Sequence, residues 1–308
     1  MIYTVTFNPA VDYAVEVDSL QSGDINRTQS EKLSYGGKGI NVSVILTRLG
    51  IANRALGFIA GFSGKYIEEQ LNAENIDNEF ICLRNGYTRI NLKIKSDVCF
   101  DINAQGPDIG DSDVDKLYKK LEKLEDGDIL VLAGSIPKSL PDDIYEKIMK
   151  GLSGRNVNFV VDATGDLLLN VLKYKPFMVK PNHHELGDLF SAEIKTVDDV
   201  KKYGKKLQQL GARNVIVSRG GDGAVLLDEN GNIHISENIP GEIKGSVGCG
   251  DSMVAGFIAG YTETKDYSYA FKLGAACGNA TAFSDSLAKR EDIEKTLEFF
   301  IDKNKTLY

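Results

Sequence analysis

Residues 245–257 read GSVGCGDSMVAGF, and this stretch predicts a helix together with the start of a binding site. Apolar residues from Met253 to Tyr261 recur at helical spacing, so a helix should begin directly after the glycines. The amides of residues 248–250 would then lie in its first turn, where backbone donors have no helical partner and attract anions. Asp251 follows them immediately.

A carboxylate beside an anion site has two interpretations. In a phosphoryl-transfer site the amides hold the transferring phosphate, and Asp251 takes the proton from the attacking hydroxyl. In the other interpretation Asp251 only caps the helix, as aspartates at helix starts commonly do. The stretch alone leaves both open.

Composition places the chain among acidic globular proteins. It has 308 residues, of which 42% are hydrophobic and 26% charged, and its formal net charge is -8. An acidic surface argues against nucleic acid and anionic membranes as partners. No apolar run in the sequence reaches membrane-spanning length. The length suits one large domain or two modest ones.

The cysteines and the first residues bear on the location of the protein. The four cysteines form no C-x-x-C pair, and the three histidines give no zinc pattern with them, which favours buried, reduced thiols. Residues 1–7 lack the basic flank, long apolar core and cleavage site of a signal peptide. We therefore expect a cytoplasmic protein.

Two kinds of strand pattern predict two sheets. Uninterrupted apolar runs, typical of parallel strands covered on both faces, alternate with helical patterns at 129–132, 159–161, 177–179 and 215–217. Residues 88–94 instead alternate apolar and polar side chains, as strands with one wet face do. The sequence predicts a three-layer α/β/α sandwich with a mostly parallel central sheet, in one domain over residues 1–308. A small antiparallel lid sheet is expected from about 12–35 and 85–104.

Polar motifs follow several of the predicted strands. Because the carboxyl ends of parallel strands meet at one edge of a sheet, where ligands bind, we expect these motifs to share one cleft. They are Asn8 to Asp12, Gly134-Ser135, Asp162, Lys180-Pro181-Asn182 and Ser218 to Gly221.

A second glycine-rich motif, Gly36-Gly37-Lys38-Gly39, opens another predicted helix. A phosphate or a sugar can approach glycine closely, and Lys38 would add a positive charge. The motif is not a Walker A loop, and no G-x-G-x-x-G follows a strand, which argues against a Rossmann dehydrogenase. The alternative is a turn that carries a solvated lysine.

Four further side chains have two interpretations each. Arg27 and Arg89, on the predicted lid strands, are candidate anion donors or solvated arginines. Glu185 could hold Mg²⁺ through water, or complement the dipole of a starting helix. Cys249 is a small residue in a tight loop, or an oxidation-sensitive thiol if the helix start lowers its pKa.

Together these motifs resemble the signatures of the ribokinase-like sugar kinases, and within them of the phosphofructokinase B group. NPAVD at 8–12 is similar to the N-terminal signature of that group, and GGKGINV at 36–42 to its G-G-K-G-x-N signature. VGCGDS at 247–252 is similar to its second signature, whose core is G-x-G-D. The similarity runs nearly end to end, and residues 88–91 and 103–107 look most like the 1-phosphofructokinases.

The resemblance implies a role for each matching residue. The sugar would be bound by Asp12, Gly37, Lys38, Asn41 and Asn91, and its phosphate by Arg27 and Arg89. The nucleotide would be bound by Lys180, Asn182, Ser218, Gly220, Gly223, Val247 and Asn279. An anion hole would consist of Gly248, Cys249 and Gly250, with Asp251 as the base and Glu185 acting on Mg²⁺ through water.

The resemblance also implies a reaction and an assembly. We expect ATP-dependent phosphorylation of a ketohexose phosphate, with D-fructose 1-phosphate giving fructose 1,6-bisphosphate, in a homodimer paired through the lid. Tagatose 6-phosphate phosphorylation is the alternative within the same class. A non-catalytic phosphosugar sensor is the alternative outside it, and such a sensor could dispense with Asp251, which is present.

Overall fold

Strands and helices alternate along nearly the whole chain, as the sequence pattern predicts. The computed structural model describes residues 1–237 and 239–301. Its strands are β1 Ile2–Thr6, β2 Ala10–Glu16, β3 Ser30–Gly36, β4 Asn53–Ala60, β5 Ile81–Leu83, β6 Arg89–Lys95, β7 Phe100–Ile102, β8 Ile129–Ala133, β9 Asn158–Asp162, β10 Met178–Val179, β11 Asn214–Ser218, β12 Ala224–Leu227 and β13 Ile233–Ser236. Its α-helices are α1 Lys38–Arg48, α2 Gly61–Ala73, α3 Asp111–Leu121, α4 Ile144–Gly151, α5 Gly165–Val171, α6 His183–Phe190, α7 Val197–Leu210, α8 Cys249–Thr264, α9 Tyr267–Ala282 and α10 Arg290–Ile301.

Parallel strands and an antiparallel hairpin form the main sheet. Its strand order is β13-β12-β11-β10-β9-β8-β1-β4-β5. Neighbouring strands from β11 to β5 pair in parallel, whereas β12 and β13 form an antiparallel hairpin at one edge. The uninterrupted apolar runs of the sequence therefore became central parallel strands.

Helices cover both faces of this sheet because successive strand residues point to opposite sides. In β8, Leu130 and Leu132 pack in a core that contains buried residues of α3 to α7. Val131, between them, packs in a second core with residues of α1, α8, α9 and α10. The predicted three-layer α/β/α sandwich is confirmed.

The small sheet pairs two stretches that lie far apart in the sequence. Its order is β3-β2-β6-β7, with antiparallel pairing of β2 with β3 and of β6 with β7. The central pair, β2 and β6, is parallel, and it sets Ala10 opposite Arg89 and Asp12 opposite Asn91. The expectation of a wholly antiparallel sheet was wrong, because alternation reports one wet face and not the direction of the neighbouring strand.

The polar motifs expected to share a cleft do follow adjacent strands. Asp162 and Ser218 are the last residues of β9 and β11, and Lys180 follows β10, which lies between them. A cleft over this edge of the sheet is therefore reached by side chains from three consecutive strands.

Small residues bring α8 and α9 close together. A Cβ added at Gly256 would lie 2.6 Å from Leu273 O and from Cys277 Sγ, and one at Gly260 would lie 2.7 Å from the α-carbon of Ala270. A larger side chain at either position would push the two helices apart. The contact fixes the axis of α8, whose first turn lines the cleft.

The sequence also predicts short hairpin-like strands over residues 222–246, with turns at Gly231 and Gly241. Gly231 does lie in the turn between β12 and β13, but among the described residues no strand lies between Ser236 and α8, so Gly241 joins no strands. A Cβ at Gly241 would lie 2.6 Å from the ring of Phe283, so this glycine permits close packing and does not mark a hairpin. None of the helices in the described part of the chain has the length and apolar character needed to cross a membrane.

Candidate active site

A cleft of about 880 Å³ is lined by the small sheet, the carboxyl ends of the main strands and the first turn of α8. Of the residues to which the sequence assigned a role, all but Arg27 line this cleft. Arg27 lies instead in an exposed connection between β2 and β3, because β3 begins only at Ser30. The expectation that Arg27 lies on a strand was therefore wrong.

The first turn of α8 lies at one end of the cleft, as the sequence predicts for the candidate anion site. Its N-cap is Gly248, whose φ of 81° is a left-handed conformation that glycine adopts without strain. A Cβ at Gly250 would lie 2.9 Å from Lys180 Nζ, so the ammonium group stands directly over the turn. The helix dipole and this cation favour an anion at the same place. We call the backbone amides of residues 248–250 the anion hole.

Asp251 is buried behind the anion hole and does not cap the helix. Its Oδ2 accepts a hydrogen bond from Asn41 Nδ2 at 2.7 Å, and the N-cap position of α8 has no side-chain hydrogen bond. Burial, with a smaller contribution from the negative charge of Asp162, raises the pKa of Asp251 to about 6. The carboxylate is thus ionised at neutral pH, yet a better proton acceptor than an exposed aspartate.

Asp162 joins the two lysines of the cleft. Its Oδ1 lies 3.1 Å from Lys38 Nζ and its Oδ2 lies 3.5 Å from Lys180 Nζ, and its side chain is only 2% exposed. Burial alone would raise the pKa of Asp162, but Lys180 and Lys38 outweigh it and hold that pKa below its usual value. The sequence placed Asp162 at a strand end without a role, because only the sheet order shows that it lies between the two lysines.

Pairing within the small sheet arranges the other end of the cleft. Asn91 Nδ2 donates to Asp12 Oδ1 at 2.8 Å, across the parallel β2–β6 pair, and Asn91 Oδ1 accepts from the amide of Ala104 at 3.2 Å. Arg89 Nε donates to the carbonyl of Asn8 at 3.1 Å. Burial lowers the pKa of the Arg89 guanidinium, but from so high a value that it stays charged. A carboxylate, an amide and a cation thus line one wall together.

Asn182 and Glu185 form a reciprocal capping box at the start of α6. The Asn182 side chain accepts from the Glu185 amide at 2.8 Å, and Glu185 Oε2 accepts from the Asn182 amide at 2.8 Å. The interpretation of Glu185 as a helix-start acid is therefore correct. The same side chain also lines the cleft, so the capping role does not remove it from the site.

Comparison with known proteins identifies the family of the chain. The model of the pfkB family carbohydrate kinases matches residues 5–292. The chain belongs to this family of kinases. It is 46% identical to 1-phosphofructokinase from Bacillus subtilis (96% of this chain, 97% of the relative) and 35% identical to D-tagatose-1-phosphate kinase from Bacillus licheniformis (96% and 97%). The crystal structure of phosphofructokinase-2 from Escherichia coli in complex with fructose-6-phosphate superposes with a TM-score of 0.90 at 25% identity, covering 98% of this chain and 99% of the other.

Membership of the family establishes the type of reaction, which is phosphorylation of a carbohydrate. The kinase uses ATP as the phosphate donor. The predicted fold, a large mostly parallel sheet between helices with a smaller sheet beside it, is that of the solved relative. The predicted resemblance to this family is thus confirmed, whereas the individual residue roles stay predictions.

Cys249 of the kinase is not an activated thiol. Burial, with the nearby charge of Asp251 adding to it, raises the pKa of the Cys249 thiol to about 11. A protonated thiol is a poor nucleophile and resists oxidation. The expectation that the helix start lowers the pKa of Cys249 was therefore wrong, because burial and Asp251 outweigh the effect of the helix start.

The charge of Asp162 should be visible in the pH dependence of this kinase. In the unaltered enzyme, kcat/KM should fall as the pH drops through about 6, because Asp251 becomes protonated. Asp162→Asn removes a charge that raises the pKa of Asp251 and leaves the two lysines that lower it. The acid limb should therefore move to lower pH, as measured by kcat/KM across the acid and neutral range.

Asp128→Asn is the matched control for this experiment. Asp128 is also buried and pairs with the amino group of Met1 at 2.6 Å, but it does not line the cleft. Its substitution should lower the melting temperature and leave the acid limb in place. An Asp162→Asn enzyme with an unmoved limb would show that Asp162 does not influence the titration of Asp251.

Proposed function

We propose that the protein is an ATP-dependent kinase of D-fructose 1-phosphate and that it produces fructose 1,6-bisphosphate. The observation that carries the proposal is a buried carboxylate, Asp251, in the first turn of α8, where it interacts electrostatically with Lys38 and Lys180. The 46% identity to a 1-phosphofructokinase over nearly the full chain supports the choice of substrate.

The sugar phosphate is assigned to the wall formed by the small sheet. Asp12 and Asn91, which hydrogen-bond each other, would accept and donate to the sugar hydroxyls, beside Gly37, Lys38 and Asn41. The phosphate on C1 would be bound by Arg89, whose guanidinium is charged and lines the same wall. This arrangement would leave the C6 hydroxyl toward Asp251.

ATP is assigned to the opposite part of the cleft. The γ-phosphate would lie at the anion hole under Lys180, where the helix dipole and the ammonium group act together. Asn182, Ser218, Gly220 and Gly223 would follow the rest of the nucleotide. The base would lie beside Val247 and Asn279, both of which line the cleft.

The chemistry follows from this placement. Asp251 accepts the proton of the C6 hydroxyl as that oxygen attacks the γ-phosphorus in line. The bond from O6 to the γ-phosphorus forms, and the bond from that phosphorus to the bridging oxygen breaks and releases ADP. The amides of the anion hole, Lys180 and Lys38 stabilise the charge on the transferring group.

Glu185 fits a Mg²⁺ ion held through water. No cluster of three His, Cys, Asp or Glu side chains suited to a metal occurs in the part of the chain that the structure describes. Mg²⁺ prefers waters, phosphates and one or two carboxylates as ligands, so a site of this kind does not require such a cluster. When bound, the ion would neutralise charge on the phosphates of ATP.

A second substrate is favoured by one specific finding. D-tagatose-1-phosphate kinase from Bacillus licheniformis is 35% identical over 96% of this chain. Its substrate carries the phosphate on C1, as fructose 1-phosphate does, so the same contact to Arg89 would serve it. Tagatose 6-phosphate, the alternative raised by the sequence, would require the phosphate at the other end of the sugar.

We also infer that two copies of the chain pair through the small sheet. On the face opposite Asp12 and Asn91, the register aligns Leu33, Tyr13, Leu92 and Ile102 in one apolar row across all four strands. Leu33 and Ile102 are 54% and 56% exposed, which is unusual for a contiguous apolar row on a monomer. A second copy presenting the same row would cover it.

Two further inferences concern the domain organisation and the location of the protein. The chain would act as one kinase domain over residues 1–308, with the small sheet as its lid. It would act in the cytoplasm, where the exposed thiols of Cys82 and Cys99 would remain reduced. The expectation of buried cysteines holds only for Cys277, so it was wrong for these two residues.

The substrate assignment is tested by an assay of ADP release. D-fructose 1-phosphate should give a higher kcat/KM than D-tagatose 1-phosphate, tagatose 6-phosphate or fructose 6-phosphate. If a tagatose phosphate is preferred, the enzyme is a tagatose-phosphate kinase. If none is turned over while a sugar phosphate still binds, the protein is a sensor and the proposal fails.

Asp251→Asn tests whether Asp251 acts as a base or only contributes to the structure. Asparagine can still accept the hydrogen bond from Asn41, but it cannot take a proton at neutral pH. We expect kcat to fall by about 10²–10⁴-fold, the usual contribution of a positioned acid or base. Binding of a non-hydrolysable ATP analogue should persist, and at neutral pH the melting temperature should not fall, because the substitution removes a buried charge whose pKa is raised. A folded variant that keeps most of its turnover would exclude Asp251 from the mechanism.

Arg89→Ala tests the contact to the substrate phosphate. The KM for the sugar phosphate should rise at least about tenfold, because a charge-assisted hydrogen bond contributes roughly 1.5–3 kcal/mol. The KM for ATP should hardly change. Arg84→Ala, which alters an exposed arginine outside the cleft, is the control. A raised KM for ATP with an unchanged KM for the sugar would reverse the assignment.

Leu33→Asp tests the dimer. A buried aspartate in an apolar interface is strongly unfavourable, so the variant should be monomeric in light scattering at concentrations where the unaltered chain is dimeric. Leu210→Asp places the same charge at a similarly exposed leucine at the end of α7 and should leave the dimer intact. A monomeric unaltered chain would disprove the pairing.

A further inference from the structure

The turn that follows α9 packs against the first turn of α8, which contains the anion hole. Leu287 Cδ2 lies 2.5 Å from the place where a Cβ on Gly248 would be, so this side chain packs directly against the N-cap residue of α8. The amide of Ala288 donates to Thr281 Oγ1 at 3.2 Å. The Thr281 hydroxyl is in turn hydrogen-bonded to Ser252 at 2.8 Å, next to Asp251. We call residues 287–288 the supporting turn.

Arg48, at the end of α1, holds the supporting turn in place. Its Nη1 donates to the carbonyl of Leu287 at 2.6 Å and to that of Ala288 at 3.1 Å. Only 23% of its side chain is exposed. A planar guanidinium can bond two carbonyls and a carboxylate at once, whereas a lysine ammonium cannot reproduce this fork.

The other side of Arg48 is tied to the small sheet. Its Nη2 lies 2.8 Å from Glu74 Oε2, and Glu74 Oε1 accepts a hydrogen bond from the hydroxyl of Tyr35 on β3. Lys32, also on β3, donates to the carbonyl of Asp285 at 3.0 Å, close to the supporting turn. β3 is therefore connected to the anion hole through two sets of contacts that do not involve substrate.

We propose that Arg48 is a positioning residue that couples the small sheet to the anion hole. A sugar phosphate bound against β2 and β6 fixes the sheet, and β3 with it. Tyr35 and Glu74 then hold Arg48, and Arg48 holds the supporting turn against Gly248. The amides of residues 248–250 thereby take the geometry that the γ-phosphate requires. This inference rests on the proposed function, because it uses the assignment of sugar and ATP to the two parts of the cleft.

The proposal requires that the two ligands assist each other. By linkage, a sugar phosphate that tightens ATP binding must itself be bound more tightly in the presence of ATP, by the same factor. A residue with a purely structural role would lower the melting temperature without altering this factor. The ratio of the two dissociation constants is therefore the decisive readout.

The experiment measures binding of a non-hydrolysable ATP analogue with and without saturating sugar phosphate. In the unaltered enzyme the sugar phosphate should tighten the analogue at least about fivefold, the lower end of usual coupling between sites. In Arg48→Lys and in Tyr35→Phe this ratio should fall toward one. For Arg48→Lys, kcat should fall at least about tenfold, because a small misplacement of the anion hole affects the transition state most. By the same linkage, the dissociation constant of the sugar phosphate in the presence of the ATP analogue should rise by the factor that is lost, whereas its value without nucleotide should change little.

Arg54→Lys is the matched control. Arg54 pairs with Asp77 at 2.8 Å and Glu79 at 2.5 Å and, like Arg48, is partly buried, but it lies on β4 outside the cleft. Its substitution should leave both the coupling ratio and kcat unchanged. If Arg48→Lys does not fold, Tyr35→Phe, which removes one hydroxyl, still tests the coupling.

Two results would overturn the proposal. One is a coupling ratio of one in the unaltered enzyme, and the other is an Arg48→Lys or Tyr35→Phe enzyme that keeps the full ratio. The measurement uses whichever ketohexose phosphate the unaltered enzyme binds best. A preference for a sugar other than fructose 1-phosphate would therefore count against the proposed substrate alone.

Discussion

Two aspartates and Lys180 are buried in the cleft beside the partly exposed Lys38, and the mutual compensation of these four charges is the constraint on which the site depends. Lys38 and Lys180 each lie within ion-pair distance of Asp162, and Asp251 lies close enough to feel all three charges. An isolated buried charge costs several kcal/mol, so removing one member exposes the others to that cost. The elements that carry them, α1, β9, the end of β10 and α8, are thereby fixed relative to one another.

The two lysines do not fully offset the cost of burying the charge of Asp251. This lowers the stability of the folded state but favours the proposed role of Asp251 in catalysis. The pKa of Asp251 is raised to about 6, above the value near 4 of an aspartate in the unfolded chain. The folded state therefore binds this proton more tightly, and stability falls as the pH rises from about 4 through 6. The loss at neutral pH is roughly 3 kcal/mol by the usual conversion. For the role of general base proposed for Asp251, the same shift would bring its pKa near the working pH, which is where such catalysis is most effective.

Local sequence patterns predicted most of the fold. The features that they did not predict depend on contacts between residues far apart in the sequence. Apolar runs and glycine motifs identified the parallel strands, the helix starts and nearly all cleft residues. The parallel pairing of β2 with β6 could not be predicted, since alternation looks alike in either direction. The role of Asp162 depends on the order of three strands in the sheet. The pKa of Cys249 depends on burial and on Asp251, and the position of Arg27 depends on where β3 begins.

The pairing of β2 with β6 also limits how this family member can distinguish its substrates. D-fructose 1-phosphate and D-tagatose 1-phosphate both carry a phosphate on C1 and differ only in the orientation of the C4 hydroxyl. The contact proposed between Arg89 and the phosphate would contribute equally to the binding of both sugars and could not discriminate between them. The difference must come from a polar contact to the C4 hydroxyl, where a mismatch leaves a buried donor or acceptor unpaired. Asp12 and Asn91 are hydrogen-bonded across the strand pair and held to Arg89 by the same backbone register, so a change in one contact displaces the others. Under the proposed assignment, specificity between the two sugars would be a property of the whole strand pair and not of a single side chain.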